Sequence, residues 1–286
     1  MTKKIMVTGA FGQLGSEIRK ISEASDQTFV FTDVDTLDMS EQKNANRFLE
    51  SNAPDIIINC AAYTAVDKAE EEEEKAIQIN AGIPELLASY GKKTECMIIH
   101  VSTDYVFRGD LARPLKEEDK TDPQSVYGRS KLLGEEAILS YERGMVIRTS
   151  WLYSSFGHNF VKSIAGLLTK KEELKVVFDQ VGSPTYAGDL AEVILMIAEQ
   201  DDQKFIPGIY HYSNEGIASW YDLAIAIGEI TGADCKIVPI ETKDYPLPAP
   251  RPAYAILNKE KIKKQLDIQI PYWRSSLIRC LEIMNT

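Results

Sequence analysis

The stretch Ile5-Met-Val-Thr-Gly-Ala-Phe-Gly-Gln-Leu-Gly15 decides the fold class of this chain. It begins with a short apolar run, bends through three glycines and continues with Leu14, Ile18 and Ile21 at helical spacing. A strand that leads through glycines into a helix is the context of a dinucleotide-binding turn, where the pyrophosphate lies close to the backbone and faces the helix N-terminus. The spacing is GxxGxxG, one residue wider than the usual pattern, so a purely structural turn remains the alternative.

Further short apolar runs alternate with helical patterns along the first half of the chain. This alternation predicts an α/β fold with a doubly wound, Rossmann-like parallel sheet that helices cover on both faces. The expected strands include 29–31, 56–58, 97–101 and 146–147, and the expected helices include 76–90 and 125–143.

After about residue 150 the alternation becomes less regular. We expect residues 1–150 to form the dinucleotide-binding domain, with segments near 175–215 returning to it. Residues 151–286 are expected to form mainly a smaller, interleaved substrate lobe. Its predicted elements are helices at 160–168, 190–198 and 220–230 and an extended, proline-rich segment at 245–252, where a central helix is excluded.

Composition limits the function classes. The formal charge of −11 repels polyphosphate backbones, so we expect no nucleic-acid partner. The longest apolar runs are far too short to span a membrane and no leader pattern precedes the first strand, which predicts no membrane partner and a cytoplasmic location. Four scattered cysteines and three histidines show no ligand spacing, which argues against a metal or disulfide framework.

Tyr127 and Lys131 lie four residues apart on a predicted helix. Positions i and i+4 share a helix face, so the ammonium is expected to lower the pKa of the phenol and let it exchange protons near neutral pH. Many helices contain this spacing by chance. Its position about a hundred residues after a nucleotide-type turn favours the catalytic interpretation.

Asp33 stands 18 residues after Gly15, at the end of the second predicted strand. A carboxylate there would accept a hydrogen bond from the 2′-hydroxyl of an adenosine ribose and repel a 2′-phosphate, which favours NADH over NADPH. A role as a turn residue is the alternative. The acid run 70–74 invites a metal-site interpretation, but consecutive helical positions point in all directions, so a solvated helix start is expected.

Six motifs resemble the extended short-chain dehydrogenase/reductase family, and within it the dTDP-4-dehydrorhamnose reductases. The resemblance implies reduction of the C4 ketone of a small-molecule nucleotide sugar, dTDP-4-dehydro-L-rhamnose, to dTDP-L-rhamnose, with NADH or NADPH as cofactor. The motifs lie, in order, at Asn59-Cys-Ala-Ala-Tyr-Thr-Ala-Val-Asp-Lys-Ala-Glu70, Ser102-Thr-Asp-Tyr-Val-Phe107, Val126-Tyr-Gly-Arg-Ser-Lys131, Arg148-Thr-Ser-Trp151, Gln180-Val-Gly-Ser-Pro-Thr185 and Arg251-Pro252.

The resemblance also implies residue roles. Tyr127 would be the general acid, Lys131 would support it and hold the nicotinamide ribose, and Thr103 would orient the carbonyl. Packing under the C-terminal lobe is the alternative for Trp151, and a surface ion pair is the alternative for Arg251. The implied cofactor contacts are Gly9, Gly12, Gln13, Leu14, Gly15, Asp33, Asp38, Met39, Ala62, Tyr63, Thr64, Tyr127 and Lys131, and the implied substrate contacts are Thr64, Thr103, Asp104, Tyr127, Trp151 and Arg251.

Some reductases of this kind hold Mg²⁺ between subunits through glutamates. Glu17 matches one such position, but Gly188 stands where a second carboxylate is expected and the third position does not align, so no metal ligand is assigned and a homodimer is left open.

Two other functions are also open. One is a nucleotide-sugar epimerase or dehydratase, although Asp104 lacks the adjacent Glu of a dehydratase. The other is a non-catalytic subunit resembling the regulatory partner of methionine adenosyltransferase.

Overall fold

A parallel six-stranded sheet forms the centre of the computed structural model, which describes residues 2–284. The order of the strands is β2-β1-β3-β4-β5-β10, with strands and helices numbered along the chain. The predicted α/β, doubly wound fold class is confirmed. The strands are β1 Lys4–Thr8, β2 Thr28–Thr32, β3 Ile56–Asn59, β4 Met97–Thr103, β5 Gly144–Thr149 and β10 Gly208–His211.

The remaining strands are short and lie outside this sheet, among the segments that follow residue 150. Among the expected helices, 160–168 coincides with the observed one, whereas 125–143 ends earlier, at Leu139. The strands are β6 Leu152–Tyr153, β7 Glu173–Val177, β8 Val181–Gly182, β9 Thr185–Tyr186, β11 Ala218–Ser219, β12 Lys236–Ile240 and β13 Tyr254–Ala255. The helices are α1 Gln13–Ser22, α2 Gln42–Asn52, α3 Val66–Ala69, α4 Glu73–Ile77, α5 Ile83–Thr94, α6 Val126–Leu139, α7 Phe160–Leu168, α8 Ala187–Glu199, α9 Trp220–Thr231, α10 Glu260–Leu266 and α11 Trp273–Met284.

Side chains of each strand alternate between the two faces of the sheet, and both faces are buried. Ile5 and Val7 belong to the core under α1 and α8, whereas Met6 belongs to the opposite core, under α2 and α5. Such continuous apolar strands are typical of parallel sheets that helices cover on both sides. A π-helical turn, 78–82, joins α4 to α5, so the expected helix 76–90 is part of a longer helical segment.

A second core lies in the C-terminal half, between α7, α9, α11 and the parallel pair β7–β12. Helix α8 packs instead on α1, and β10 pairs with β5 at the edge of the central sheet. Ile262 of α10 also packs into the core of that sheet, although the sequence had suggested no such return after residue 215. The domain division at residue 150 stays a prediction.

The strand order reverses at β1 and β3, because β2 lies on one side of β1 and every later strand lies on the other. In open α/β sheets, ligands bind in the crevice beyond the carboxyl ends of the strands at such a switch point. The glycine turn after β1 and the segment after β3 are therefore neighbours at this crevice. Within residues 2–284, no helix has the length and apolar character that a membrane span requires.

Candidate active site

The glycine turn has the shape that close approach of a ligand requires. Gly9 has a φ of +61°, and a Cβ there would lie 2.7 Å from the backbone nitrogen of Ala61. Only glycine combines this backbone conformation with this contact at little cost. Helix α1 begins at Gln13 without a side-chain cap, so the amides of its first turn remain open to an anion. The Leu14 side chain is buried in the core, which leaves its backbone for ligand contact.

Asp33 is tied to the glycine turn. One carboxylate oxygen accepts a hydrogen bond from the amide of Phe11 at 2.8 Å, and the other accepts from the amide of Val34 at 2.7 Å. Asp33 therefore serves as a turn residue, and its carboxylate lies beside the glycine turn. Of the residues expected near adenine, Asp38 accepts from the Ser40 hydroxyl, whereas the Met39 side chain is buried against α2.

Thr103 and Tyr127 meet beyond the end of β4. The Thr103 hydroxyl lies close enough to the Tyr127 phenol to oppose the rise of its pKa, and it donates to Asp104 at 3.0 Å. The Tyr127 ring packs edge-on against Tyr105, with ring centroids 5.4 Å apart. The structure thus brings together the predicted acid and the hydroxyl that is expected to orient the carbonyl.

The expected effect of Lys131 on Tyr127 was wrong. Burial raises the pKa of Tyr127 to about 12, the Thr103 hydrogen bond opposes this shift, and Lys131 is not among its causes. The Lys131 ammonium instead donates to the carbonyl of Val101 at 2.7 Å, and burial lowers its pKa to about 8. Sharing a helix face did not ensure contact, because the strand end offered the lysine a better acceptor.

A row of buried polar side chains connects Lys131 with the glycine turn. The Thr8 hydroxyl bonds Asn59 at 2.6 Å, the Asn59 amide contacts His100 Nδ1 at 2.9 Å, and His100 Nε2 lies 3.3 Å from Lys131 Nζ. Thr8, Asn59 and His100 are register partners on adjacent strands, so the sheet itself aligns the row. Burial and the charge of Lys131 lower the pKa of His100 well below its ordinary value. The histidine is therefore neutral at physiological pH.

Asp104 is a buried carboxyl group near the hydroxyls of Thr103 and Tyr127. Its Oδ2 atom has no hydrogen-bond partner among the described residues. Burial raises its pKa to about 7, although the Thr103 hydrogen bond opposes the shift. A carboxyl with such a pKa is able to donate or accept a hydrogen bond near neutral pH, which suits contact with a sugar hydroxyl.

Two glutamates of the acid run 70–74 accept hydrogen bonds that the sequence did not suggest. Glu70 accepts from the amide of Val126 at 2.8 Å, and Ser125 caps the amide of Gly128. Together they satisfy the first turn of α6, which carries Tyr127. Glu72 accepts from the Tyr63 hydroxyl at 2.9 Å, so the expectation of a merely solvated helix start was wrong in part.

Asn80, in the π-helical turn, fixes the segment that was expected to lie along the nicotinamide. Its side chain accepts from the Tyr63 amide at 2.8 Å and donates to the Tyr63 carbonyl and to the Ser130 hydroxyl. Ala62 is half-buried and Thr64 is exposed on either side. Sequence reasoning missed Asn80, and the broken helical pattern gave no signal of it.

A cavity of about 420 Å³ is lined by residues from both halves of the chain. Trp151 lines it and stacks on Trp220, with parallel rings and centroids 3.5 Å apart, so the packing role is observed and ligand contact stays a prediction. Its φ of +48° is unusual for a bulky residue and marks backbone strain of the kind that clusters at functional sites. The other lining residues include Gln13, Thr64, Asp67, Asn159, Phe160, Trp220 and Arg251.

Arg251 is engaged in a forked ion pair with Asp67. Its Nη1 atom lies 2.5 Å from Oδ1, and its Nη2 atom lies 2.7 Å from Oδ2. The Arg251 side chain is 16% exposed and the Asp67 side chain 36% exposed, so the ion pair that the sequence left open as the alternative is present, and it is partly buried. The pair lies at the cavity and joins the segment before β13 to α3.

The residues at the position suggested for Mg²⁺ do not fit a metal. Glu17 is buried and accepts from the Ser154 hydroxyl at 2.6 Å, and it is hydrogen-bonded to Tyr186. A Cβ at Gly188 would lie 2.5 Å from the Tyr186 ring, so the ring fills the space that a second carboxylate would need. In residues 2–284, no group of three or more His, Cys, Asp or Glu side chains could hold a metal ion.

The parallel sheet, the glycine turn and the Thr103, Tyr127 and Lys131 side chains define an oxidoreductase of the short-chain dehydrogenase/reductase class. The sequence matches the family described as RmlD substrate binding domain over residues 3–286, and the chain belongs to that family. This finding confirms the resemblance seen in the motifs.

Three similar proteins illustrate the relationship. The spore coat polysaccharide biosynthesis protein SpsK of Bacillus subtilis (strain 168) is 40% identical over 98% of this chain and 97% of its own length. A crystal structure of a dTDP-4-dehydrorhamnose reductase from Clostridium acetobutylicum ATCC 824 is 39% identical, with a TM-score of 0.95 over 99% of this chain and 100% of that one. The dTDP-4-dehydrorhamnose reductase of Bacillus anthracis str. Ames, in complex with NADP, is 33% identical, with a TM-score of 0.94 and the same coverage.

Proposed function

We propose that this protein is an NAD(P)H-dependent oxidoreductase that reduces the C4 ketone of dTDP-4-dehydro-L-rhamnose to dTDP-L-rhamnose, for cell-surface polysaccharide biosynthesis. The observation that carries the proposal is the proximity of Thr103 and Tyr127 beyond the end of β4, in a molecule whose cavity is lined by Trp151 and Arg251. Family membership and the printed functions of the similar proteins support the same activity.

We propose a task for each group. A reduced nicotinamide cofactor, when bound, supplies the hydride to C4. Tyr127 is protonated at physiological pH, because its pKa is about 12, and it is thus in the acid form that must give a proton to the C4 oxygen. The Thr103 hydroxyl would orient that oxygen. Lys131 would hold the nicotinamide ribose from the fixed position that Val101 and His100 give its ammonium.

Turnover with the keto sugar tests the proposal. Purified protein would receive enzymatically generated dTDP-4-dehydro-L-rhamnose and NADH or NADPH, and the loss of reduced-cofactor absorbance would be followed. An epimerase or a dehydratase would regenerate its own NAD and consume no added cofactor, and a regulatory subunit would also consume none. An absence of cofactor consumption would therefore reject the proposed activity.

Replacing Tyr127 with Phe tests the proton donor. We expect kcat to fall by about 10² to 10⁴-fold, the usual contribution of general acid catalysis, while the affinity for the cofactor is retained because one hydroxyl is removed. Tyr105→Phe is the matched control, since Tyr105 packs against Tyr127 but has no proposed chemical role. Near wild-type kcat in Tyr127→Phe would assign the proton transfer to another group.

We further infer a cytoplasmic location, where reduced cofactor and nucleotide sugar are both available, and we leave the homodimer as a prediction of the resemblance. Light scattering with and without Mg²⁺ tests the assembly. Since Tyr186 occupies the space beside Glu17, we expect no change of mass on chelation.

A further inference from the structure

The Arg251–Asp67 pair fixes more than two side chains. Asp67 Oδ1 also accepts a hydrogen bond from the amide of Ala249 at 3.1 Å, and Arg251 Nη1 donates to the carbonyl of Ala249 at 2.5 Å. The carboxylate therefore holds both the guanidinium and the proline-rich segment that carries it. Asp67 itself lies in α3, three residues after Thr64, which lines the same cavity.

The guanidinium retains an unused edge. It has five N–H groups, of which Nη1 gives two, to Asp67 and Ala249, and Nη2 gives one, to Asp67. The N–H of Nε and the second N–H of Nη2 have no acceptor among residues 2–284. These two N–H groups are parallel and form a fork, the geometry that binds two oxygens of a phosphate group.

We propose that Asp67 is a positioning residue for substrate recognition, which holds Arg251 so that its free Nε–Nη2 edge meets the diphosphate of the nucleotide sugar. This inference rests on the proposed function and deepens it. Arginine has a long side chain that loses rotamer entropy when it is fixed, and a partner that fixes it before binding removes that cost from the binding step.

Charge supports this arrangement. The hydrogen bonds from Arg251 lower the pKa of Asp67, so the carboxylate remains ionised, and burial of the guanidinium is offset by its paired carboxylate. The pair is close to neutral as a unit, yet its outer edge still presents two donors. The competing arrangement is that the diphosphate takes the edge now held by Asp67, in which case Asp67 would oppose binding.

Calorimetric titration with dTDP distinguishes the two arrangements without any catalysis. We expect Asp67→Asn to weaken dTDP binding about tenfold and Arg251→Ala to weaken it about ten- to a hundredfold. The double variant should bind no more weakly than Arg251→Ala alone, because Asp67 acts through Arg251. Thymidine, which lacks the diphosphate, should bind all of them equally, and Glu71→Gln, an exposed carboxylate nearby, should behave as wild type.

Equal or tighter dTDP binding by Asp67→Asn would overturn the inference, as would independent losses in the double variant or no dTDP binding by the wild-type protein. Melting temperatures would verify that each variant is folded.

In turnover, Asp67→Asn should raise KM about tenfold and leave kcat nearly unchanged, and Asp67→Glu should recover part of the loss. An inactive wild-type protein that still shows the dTDP pattern would reject the proposed reduction alone, whereas full activity with wild-type affinity in Asp67→Asn would reject the inference alone.

Discussion

At the scale of single residues, Asp33 fills the turn role that the sequence presented as one of two alternatives, and its contact with a ribose stays a prediction. Its carboxylate holds the Phe11 amide within the glycine turn, and it lies where an adenosine ribose is expected. Two backbone amides already share its charge, so its repulsion of a 2′-phosphate is weaker than that of an unpaired carboxylate. The similar Bacillus anthracis reductase is in complex with NADP.

Asp33→Ser should shift cofactor choice toward NADPH. We expect the ratio of kcat/KM for NADPH to that for NADH to rise about tenfold, since one repulsive charge is removed, and binding of both cofactors to weaken because the Phe11 amide loses its acceptor. Asp35→Ser, an exposed carboxylate two residues later, is the control and should leave the ratio unchanged. The same ratio in both variants would place Asp33 away from the ribose.

Single residues also show where sequence reasoning ended. The glycine turn and the Tyr127–Lys131 spacing are local patterns, so their elements could be predicted from neighbouring residues. The partners of Lys131 and Arg251 could not, because Val101 and Asp67 are 30 and 184 positions away in the chain. Long side chains bind acceptors that only the fold brings near, which is why the expected effect of Lys131 on Tyr127 is not observed.

At the scale of elements, helix α6 is the part whose position decides the chemistry. Tyr127 is its second residue, and Gly128 packs against the backbone of Tyr105, where a Cβ would collide with the carbonyl. Ser125 directly precedes α6, so the sequence indicates a helix cap there. Glu70 follows β3, far from α6 in the sequence, so its hydrogen bond from the Val126 amide could not be predicted. The first turn of this helix is therefore held by two separate parts of the chain.

Removing the Glu70 cap should misplace Tyr127. We expect Glu70→Ala to lose about 1 kcal/mol of stability, as other capping losses do, and to lower kcat more than it raises KM for the cofactor. Glu70→Gln keeps an acceptor for the Val126 amide and should lose less. Glu71→Ala, which changes an exposed neighbour, is the control. Thermal unfolding and steady-state kinetics measure both effects, and unchanged kcat in Glu70→Ala would show that Ser125 alone positions the helix.

At the scale of the whole molecule, the sheet carries buried polar groups across its carboxyl edge. Besides the row that ends at Lys131, Arg148 and Glu135 form an ion pair at 2.6 Å that is almost fully buried, and His211 lies 3.5 Å from the same guanidinium. Breaking one partner of such a pair typically costs 3–5 kcal/mol, so these groups bind the sheet to α6 tightly. A protein built in this way should be sensitive to acid at its histidines.

His211 should make the fold lose stability as pH falls. Burial and the Arg148 charge lower its pKa to about 3, although the contact of its Nδ1 atom with the Leu115 carbonyl at 3.2 Å opposes this shift. The unfolded chain binds a proton near pH 6.5 and the folded chain does not, so the stabilisation is complete above that pH and is lost as pH falls toward 3. The full loss is of the order of 5 kcal/mol, since the unfolded and folded pKa values differ by about 3.5.

Unfolding in urea between pH 7 and pH 4 measures this contribution. His211→Gln should be less stable than wild type at pH 7, because the amide fills the space imperfectly, yet its stability should decline less steeply with acid since the side chain no longer titrates. His158→Gln is the control, because His158 is exposed and its loss should leave the slope of the wild-type protein. Comparing variants cancels the other titrating groups, among them Asp104, whose raised pKa acts in the opposite direction over the same range. Equal slopes in wild type and His211→Gln would mean that His211 takes up its proton without unfolding the sheet edge.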